Sequence, residues 1–425
     1  MTDASKPRSA RGKMLPAGIL ATALFALLAF APLASAASDP VGSGTTTVTL
    51  NGGWTNYLKT FGITLQKEGS AKLKGTKATF KNTGGSVDPT NGLGEVVLGG
   101  GLKFKAGKKS APVKALAINT KKKALFGKVA GKKMKIAAIA GWSQKRNGFG
   151  VNLTIKKLKL TNAAASKLND KLGYSKGTPK PFLKNKLIGK GASEVQPATV
   201  TVLPVGNMTF SGAPVLLKKL DNVKVTLQTL GLTQQTGTVF TGPILGGTVS
   251  PTGAAGVVQS GIGLNLVQNL ETGGTPISTT ITLGGMYVDL AAKTATVEVV
   301  AVSNAESGGK KPLDLGNLGR SSIADIVLTG VNADPTTRTV GINAAAVLQP
   351  ISAEVLQGFV SVYKGYIEFG TYQAVFKKAK EEGATDPEAD AAGKAKAKEA
   401  GEEVAKNQIS AGEALGTFSF IAQAQ

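Results

Sequence analysis

Histidine and cysteine, the side chains from which most catalytic and metal sites start, are both absent from this chain of 425 residues. The usual general base, the usual zinc ligand and the usual haem ligand are missing together. Serine and threonine are plentiful, but no nucleophile–base pair can be assembled for them. The lysines stand in solvated runs such as Lys121-Lys122-Lys123 and Lys132-Lys133. Glycine runs at Gly84-Gly85 and Gly99-Gly100-Gly101 lack the G-x-x-x-x-G-K-[ST] pattern of a phosphate loop and open no helix. Asp88 is explained by a turn. An enzyme is not expected. Two features remain that can bind something: an aromatic group, Trp54, Tyr57 and Phe61, and a concentration of lysines.

The elements that position them are organised around a repeated stretch. Gly84 to Phe104 (GGSVDPTNGLGEVVLGGGLKF) returns 162 positions later as Gly246 to Leu266 (GGTVSPTGAAGVVQSGIGLNL), and ten of the 21 positions are identical without a gap. Each copy reads as a β-hairpin. A strand enters an Asp-Pro-Thr or Ser-Pro-Thr turn, where proline presets φ and the Asp or Ser side chain bonds back to the main chain. A second strand follows, punctuated by glycines at bulge-like positions. That spacing is too long for a solenoid and suits two homologous domains.

The aromatic group sits in GWTNYLKTFGI, Gly53 to Ile63, whose Trp54, Tyr57, Leu58 and Phe61 recur at three and four residues. This predicts a short amphipathic helix after an opening strand at residues 46–52, closed by Gly62. On spacing alone, Tyr57 is a packed aromatic beside Trp54. In the second copy, Asn222 to Leu232 is read as the matching helix, with Gly231 in the role of Gly62 and Thr226 in the place of Tyr57. Val113 to Ala117 pairs with Ala124 to Val129, and Thr280 to Tyr287 with Thr294 to Val300. Gly150 to Leu160 (GVNLTIKKLKL) alternates apolar and basic residues, giving one buried and one cationic face. Short alanine-rich helices are expected at Asn162 to Leu172 and Ile351 to Phe359. Residues 377–406, rich in Ala, Glu and Lys, read as a charged insertion. It forms either a solvated single helix or a partly disordered arm, tolerated at the surface or used to hold a partner. Ala414 to Phe420 (ALGTFSF) closes the second copy.

Composition and the N-terminal segment set the expected class and compartment. With 55 glycines and 5% aromatics, the expectation is all-β with a few short helices, as two homologous β-sandwich-like domains in tandem. Residues 1–36 carry a basic start, an apolar run and Ala34-Ser35-Ala36, and read as a signal peptide. The domains expected after it are 37–200 and 201–425, secreted or associated with the cell envelope, with no transmembrane segment after cleavage. The net charge of +24 is uneven: residues 37–200 hold 30 Lys and Arg against 6 Asp and Glu, whereas residues 201–375 hold 9 against 10. A cationic first domain implies anionic partners, envelope polymer or lipid headgroups. Sparse aromatics and the absence of a recognisable module exclude a specific nucleic-acid binder.

The opening strand, the W-x-x-Y helix, the GG-x-V-[DS]-P-T hairpin, the glycine-rich strand ending in L-x-F and the LGTFSF strand together resemble the HtaA domain. That family occurs as exported, often tandem domains of actinobacteria. The resemblance covers roughly 44–200 and 205–425. It implies an all-β domain, envelope association and haem binding for iron acquisition. Carried over by residue, Tyr57 matches the tyrosine that ligates ferric haem in the family, a role suited to a phenolate. Trp54 and Phe61 flank it. Lys108, in LKFKAGKK, stands where the family has a supporting histidine. A lysine there is a cation, not a neutral imidazole. The resemblance therefore points to haem at the first repeat only, and the basic face offers the alternative of non-catalytic envelope adhesion.

Overall fold

The computed structural model describes residues 38–174, 179–272, 275–305 and 313–425. The expected signal peptide lies outside the described residues. The first repeat opens with β1 (Asp39–Leu50), helix α1 (Gly52–Thr60), β2 (Ile63–Glu68) and β3 (Lys72–Lys74). The repeated hairpin follows as β4 (Lys77–Val87), β5 (Gly94–Leu98) and β6 (Gly101–Ala106). Next come β7 (Lys109–Asn119), β8 (Ala124–Val129), β9 (Lys132–Ile139), β10 (Trp142–Asn147) and β11 (Gly150–Leu160). Helix α2 (Asn162–Leu172) and β12 (Leu187–Pro197) complete the repeat.

The second repeat runs in the same order. It begins with β13 (Val200–Val202), β14 (Asn207–Gly212), α3 (Pro214–Asn222), β15 (Val225–Thr229) and β16 (Gln234–Thr236). Its hairpin is β17 (Val239–Val249), β18 (Gly256–Ser260) and β19 (Leu264–Thr272). Then come β20 (Thr275–Asp289), β21 (Thr294–Ser303), β22 (Gly316–Asp334) and β23 (Thr339–Leu348). Helices α4 (Pro350–Glu381) and α5 (Asp386–Ala405) precede β24 (Ala414–Gln423).

Each sheet is antiparallel and closes on itself. In the first, the ladder passes β7-β5-β4-β1-β12-β11-β9-β8 and returns to β7. In the second it passes β20-β18-β17-β14-β24-β23-β22-β21 and returns to β20. Eight strands in a ring leave an interior that side chains fill, and the opposing walls face each other as the two sheets of a sandwich do. Alternation supplies the filling: β11 buries Val151, Leu153, Ile155, Leu158 and Leu160 and exposes Lys156, Lys157 and Lys159. Each ring encloses its own cluster of buried apolar residues.

The repeated hairpins share local geometry to the residue. Gly85 pairs with Val96, and Gly247 with Val258, each after a bulge, between Asn82 and Gly84 and between Ile244 and Gly246. Gly85 and Gly247 have φ of +103° and +130°. A Cβ on either would run into the carbonyl oxygen of Glu95 or Val257, so both positions demand glycine. Asp88 accepts from the main-chain N–H of Thr90 at 2.8 Å, and Ser250 from that of Thr252 at 3.1 Å.

Two expectations need correction. The helix of the second copy is Pro214–Asn222, not Asn222 to Leu232. That stretch forms β15, and Thr226 pairs there with Val267. The offset of 162 holds through the helix, so Lys219 matches Tyr57, and Lys224, left-handed at φ +61°, matches Gly62. The charged segment 377–406 is neither a single helix nor an arm. It begins inside α4, which continues the short helix expected at Ile351 to Phe359, and α5 folds back on it. Buried Ala389, Gly393, Ala397 and Gly401 recur every four residues on α5 and let it lie close to Tyr372 and Glu368 of α4. The Tyr372 hydroxyl donates to Asp390 at 3.0 Å. Among the described residues no helix is long and apolar enough to cross a membrane.

Where the repeats meet, charge is buried. Asp39 accepts from the main-chain N–H and the hydroxyl of Thr201 at 3.1 and 3.2 Å. Arg146 donates to the main-chain oxygen of Gln425, and Phe149 packs into the core of the second ring. Burial raises the Asp39 carboxyl above its ordinary value, outweighing the Thr201 hydrogen bonds and the Arg146 charge. A carboxyl raised by folding stabilises most when protonated, and that contribution is lost as pH rises through its folded value. Asp39→Asn keeps the acceptor for Thr201 and removes the titration. The melting temperature of the variant relative to the parent should climb as pH rises from about 3.5 to 7. A difference independent of pH would disprove the assignment.

Candidate functional site

Helix α1 sets the geometry of the aromatic group. Asn51 caps it, its side-chain oxygen accepting from the main-chain N–H of Trp54 at 2.9 Å, and Gly62 beyond its end is left-handed at φ +66°. Trp54 and Leu58, four residues apart, point into the core. Tyr57 and Phe61, also four apart, lie on the adjoining half-buried face. Their rings meet edge to face at 5.2 Å between centroids. Tyr174 adds a third ring, 5.9 Å from Phe61, and its hydroxyl donates to the Phe61 carbonyl at 2.7 Å. The ammonium of exposed Lys186 stands 5.9 Å from the centre of the Tyr57 ring. Two phenols, one of them engaged by the Phe61 carbonyl, a phenyl ring and a cation thus share one surface.

The other candidates fall elsewhere. Trp54 is 2% exposed and packs edge-on against Phe104 and Phe182, at 6.0 and 6.3 Å. It holds α1 to the barrel and does not face a ligand on Tyr57. Lys108 sits exposed in the turn between β6 and β7. Its neighbour Lys109 lies with its ammonium against Gly173, the left-handed cap of α2 (φ +87°), a favourable place for a cation at a helix C-terminus. Tyr174 and Lys186 were not read from the sequence. Tyr174 had a local signal, since an apolar residue directly after a glycine cap commonly folds back on the chain. Lys186 had none.

The lysines form the second candidate surface. Of the acidic residues in the first repeat, Glu68 alone makes ion pairs among the described residues, at 2.7 Å with Lys114 and 3.7 Å with Lys103. The hydrogen bond from Lys114 holds its carboxyl below the ordinary range. Lys128 on β8 lies directly across from Lys114 on β7 and from Lys133 on β9. Like charges in register repel; Glu68 offsets the Lys114 end of this row, and Lys128 and Lys133 are left opposed to each other.

No family model matches the chain, and no curated protein does. Among solved structures, the C-terminal domain of HtaA from Corynebacterium glutamicum is similar over 53% of this chain and 99% of its own, at 11% identity and a TM-score of 0.30. The N-terminal domain of the same protein matches 52% of this chain and 97% of its own, at 12% identity and 0.31. Heme binding protein HtaB, from the same organism, matches 53% and 95%, at 13% identity and 0.32. Likenesses at this level fix no ligand and no residue role in this chain.

The geometry separates core from surface in a measurable way. Trp54→Ala should lower unfolding free energy in urea by about 3–5 kcal/mol, the cost of an emptied aromatic site. Tyr57→Ala, which removes a ring that is only half-buried, should cost about 1–2 kcal/mol. Comparable losses in the two variants would place Tyr57 in the core.

Proposed function

We propose that the chain is an exported, envelope-associated, HtaA-like binding protein without catalytic activity, whose first repeat takes haem at Tyr57. The observation that supports this is the surface on α1. Tyr57 offers a phenol oxygen, the anionic donor that ferric haem accepts. Phe61 and Tyr174 supply apolar area for a porphyrin face, and Lys186 a cation for a carboxylate at its edge. These residues fit the group on the tyrosine side. No histidine exists to support the phenolate, so the hold on iron rests on Tyr57 alone. Lys219 at the matching position of the second repeat is engaged by Glu413 and the Gln408 carbonyl, at 2.7 Å each, so that repeat is given no haem role. Titrating the chain with ferric haem should give a tyrosinate-type absorption spectrum. Tyr57→Phe should abolish it while leaving the far-ultraviolet circular dichroism unchanged. Uptake undiminished in Tyr57→Phe would exclude this ligand.

A second reading, adhesion to anionic envelope polymer or headgroups, is favoured by the excess of 30 basic over 6 acidic residues in 37–200. Exposed charges act over about 8–10 Å at physiological salt. The chain should bind phosphatidylglycerol vesicles at about 20 mM salt and release as salt passes about 150 mM, while phosphatidylcholine vesicles stay bare. Retention that salt does not weaken would rule out an electrostatic origin.

A further inference from the structure

The two repeats treat one outward position in opposite ways, and the difference points to a ligand. β7 and β20 carry the same bulge, at left-handed Ala115 (φ +48°) and Gly285 (φ +58°), each followed by an outward residue, Ala117 or Tyr287. In the second repeat that spot is filled from within. The Arg320 guanidinium lies 3.9 Å above the Tyr287 ring, pairs with Glu298 at 2.9 Å and donates to the Gly285 carbonyl at 2.9 Å. Glu298 and Arg320 are directly opposed across β21 and β22.

By the register of the two ladders, the first repeat has Lys128 in the place of Glu298 and Lys133 in the place of Arg320. An ion pair has become two opposed lysines. The small side chains of Ala115 and Ala117 leave a concavity of about 290 Å³, walled by half-buried Phe126 and rimmed by Lys122, Lys128 and Lys133. The Lys122 ammonium is 5.9 Å from the centre of the Phe126 ring. Glu95 stands at the edge, its carboxylate accepting from Asn119 at 2.9 Å.

We propose that this concavity is a subsite for an acidic polysaccharide, a hydroxyl-rich sugar carrying a carboxylate or phosphate. Its acidic group sits between Lys128 and Lys133, supplying the charge that Glu298 supplies in the other repeat. The apolar face of the sugar ring lies on Phe126 and the two alanines, displacing the Lys122 ammonium toward the acid. Glu95 accepts from a sugar hydroxyl. It repels a bare polyanion, which is why a sugar fits better than polyphosphate. This subsite rests on the anionic-partner reading and narrows it to one polymer class.

The test uses the whole chain with oligogalacturonate and phosphorylated dextran as probes. Inorganic polyphosphate, phosphatidylglycerol vesicles and neutral dextran serve as comparators. At least one of the two acidic sugars should bind at about 150 mM salt, where attraction between exposed charges alone is largely screened. Phe126→Ala should weaken that binding about tenfold and change polyphosphate binding at low salt less than about twofold, since only the sugar uses the ring. Lys128→Glu recreates the opposed ion pair with Lys133. It should abolish sugar binding and raise the melting temperature by about 2 °C, which separates lost binding from lost folding. Binding of oligogalacturonate but not phosphorylated dextran, or the reverse, identifies the acidic group within the proposed class. Sugar binding unaffected by Phe126→Ala and Lys128→Glu overturns the subsite. So does a Phe126-dependent loss confined to vesicles, which would make the partner a membrane. Failure of every polyanion to bind at low salt overturns the broader anionic reading instead.

Discussion

Closure of the main-chain ladder is the constraint on which everything else in this protein depends. Once eight strands have paired into a ring, no edge remains among them, and inside and outside are fixed by the two-residue period of each strand. A register slip of one residue would turn lysines such as Lys128 and Lys133 inward and apolar residues outward. Glycine at 85 and 247 is part of the same constraint, because the repeated hairpin within the ring brings main chain against main chain where no side chain fits. The two repeats therefore agree strand for strand although they share few residues outside that hairpin.

What closure does not fix has diverged, inside as well as outside. In the first ring Thr46, Asn82 and Ser193 form a buried polar group. Thr46 is bonded to both others at 2.7 Å, and the Asn82 amide donates to the Glu194 carbonyl at 2.7 Å. The matching positions of the second ring are Met208, Ile244 and Phe420, all buried. A polar group whose bonds are satisfied internally is tolerated in a core, and an apolar triad of larger volume fills the same place without them. Each solution is complete, and an exchange of one residue between them would leave an unpaired donor or a clash.

Much of this was legible in the sequence, for reasons that also explain the misreadings. The glycine hairpin could be found because backbone conformation at φ above zero selects one residue type. β11 and α2 could be bounded to the residue because alternation and the Gly173 cap are local signals. In the second copy Leu227, Leu230 and Gly231 imitate a helix end, whereas the constant offset of 162 puts the helix at Pro214–Asn222. The offset holds from this helix through the repeated hairpin because one ring geometry generates both copies. The helical hairpin was hidden by its many Glu and Lys residues. Its buried face is made of Ala and Gly, which add little hydrophobicity and act by letting two backbones approach. Tyr174, Lys186 and the opposed lysines came together only through tertiary register, and composition could say no more than that the first repeat is basic.

The comparison of copies carries one step further. At the helix face, the first repeat leaves Tyr57 half-exposed, whereas the second has Lys219, tied to Glu413 and a main-chain carbonyl. At the bulged strands, the first repeat opposes Lys128 to Lys133, whereas the second joins Glu298 to Arg320 over Tyr287. Both differences run the same way: the second copy meets its polar and charged groups with its own side chains, and the first leaves them turned outward. Repulsion between opposed lysines is a standing cost to the free protein, relieved by whatever anion sits between them. A fold that can satisfy these positions internally, as its second copy shows, has no structural need of the open arrangement. The open groups of the first copy are therefore not requirements of this fold, and they are the places where the proposed ligands would be met.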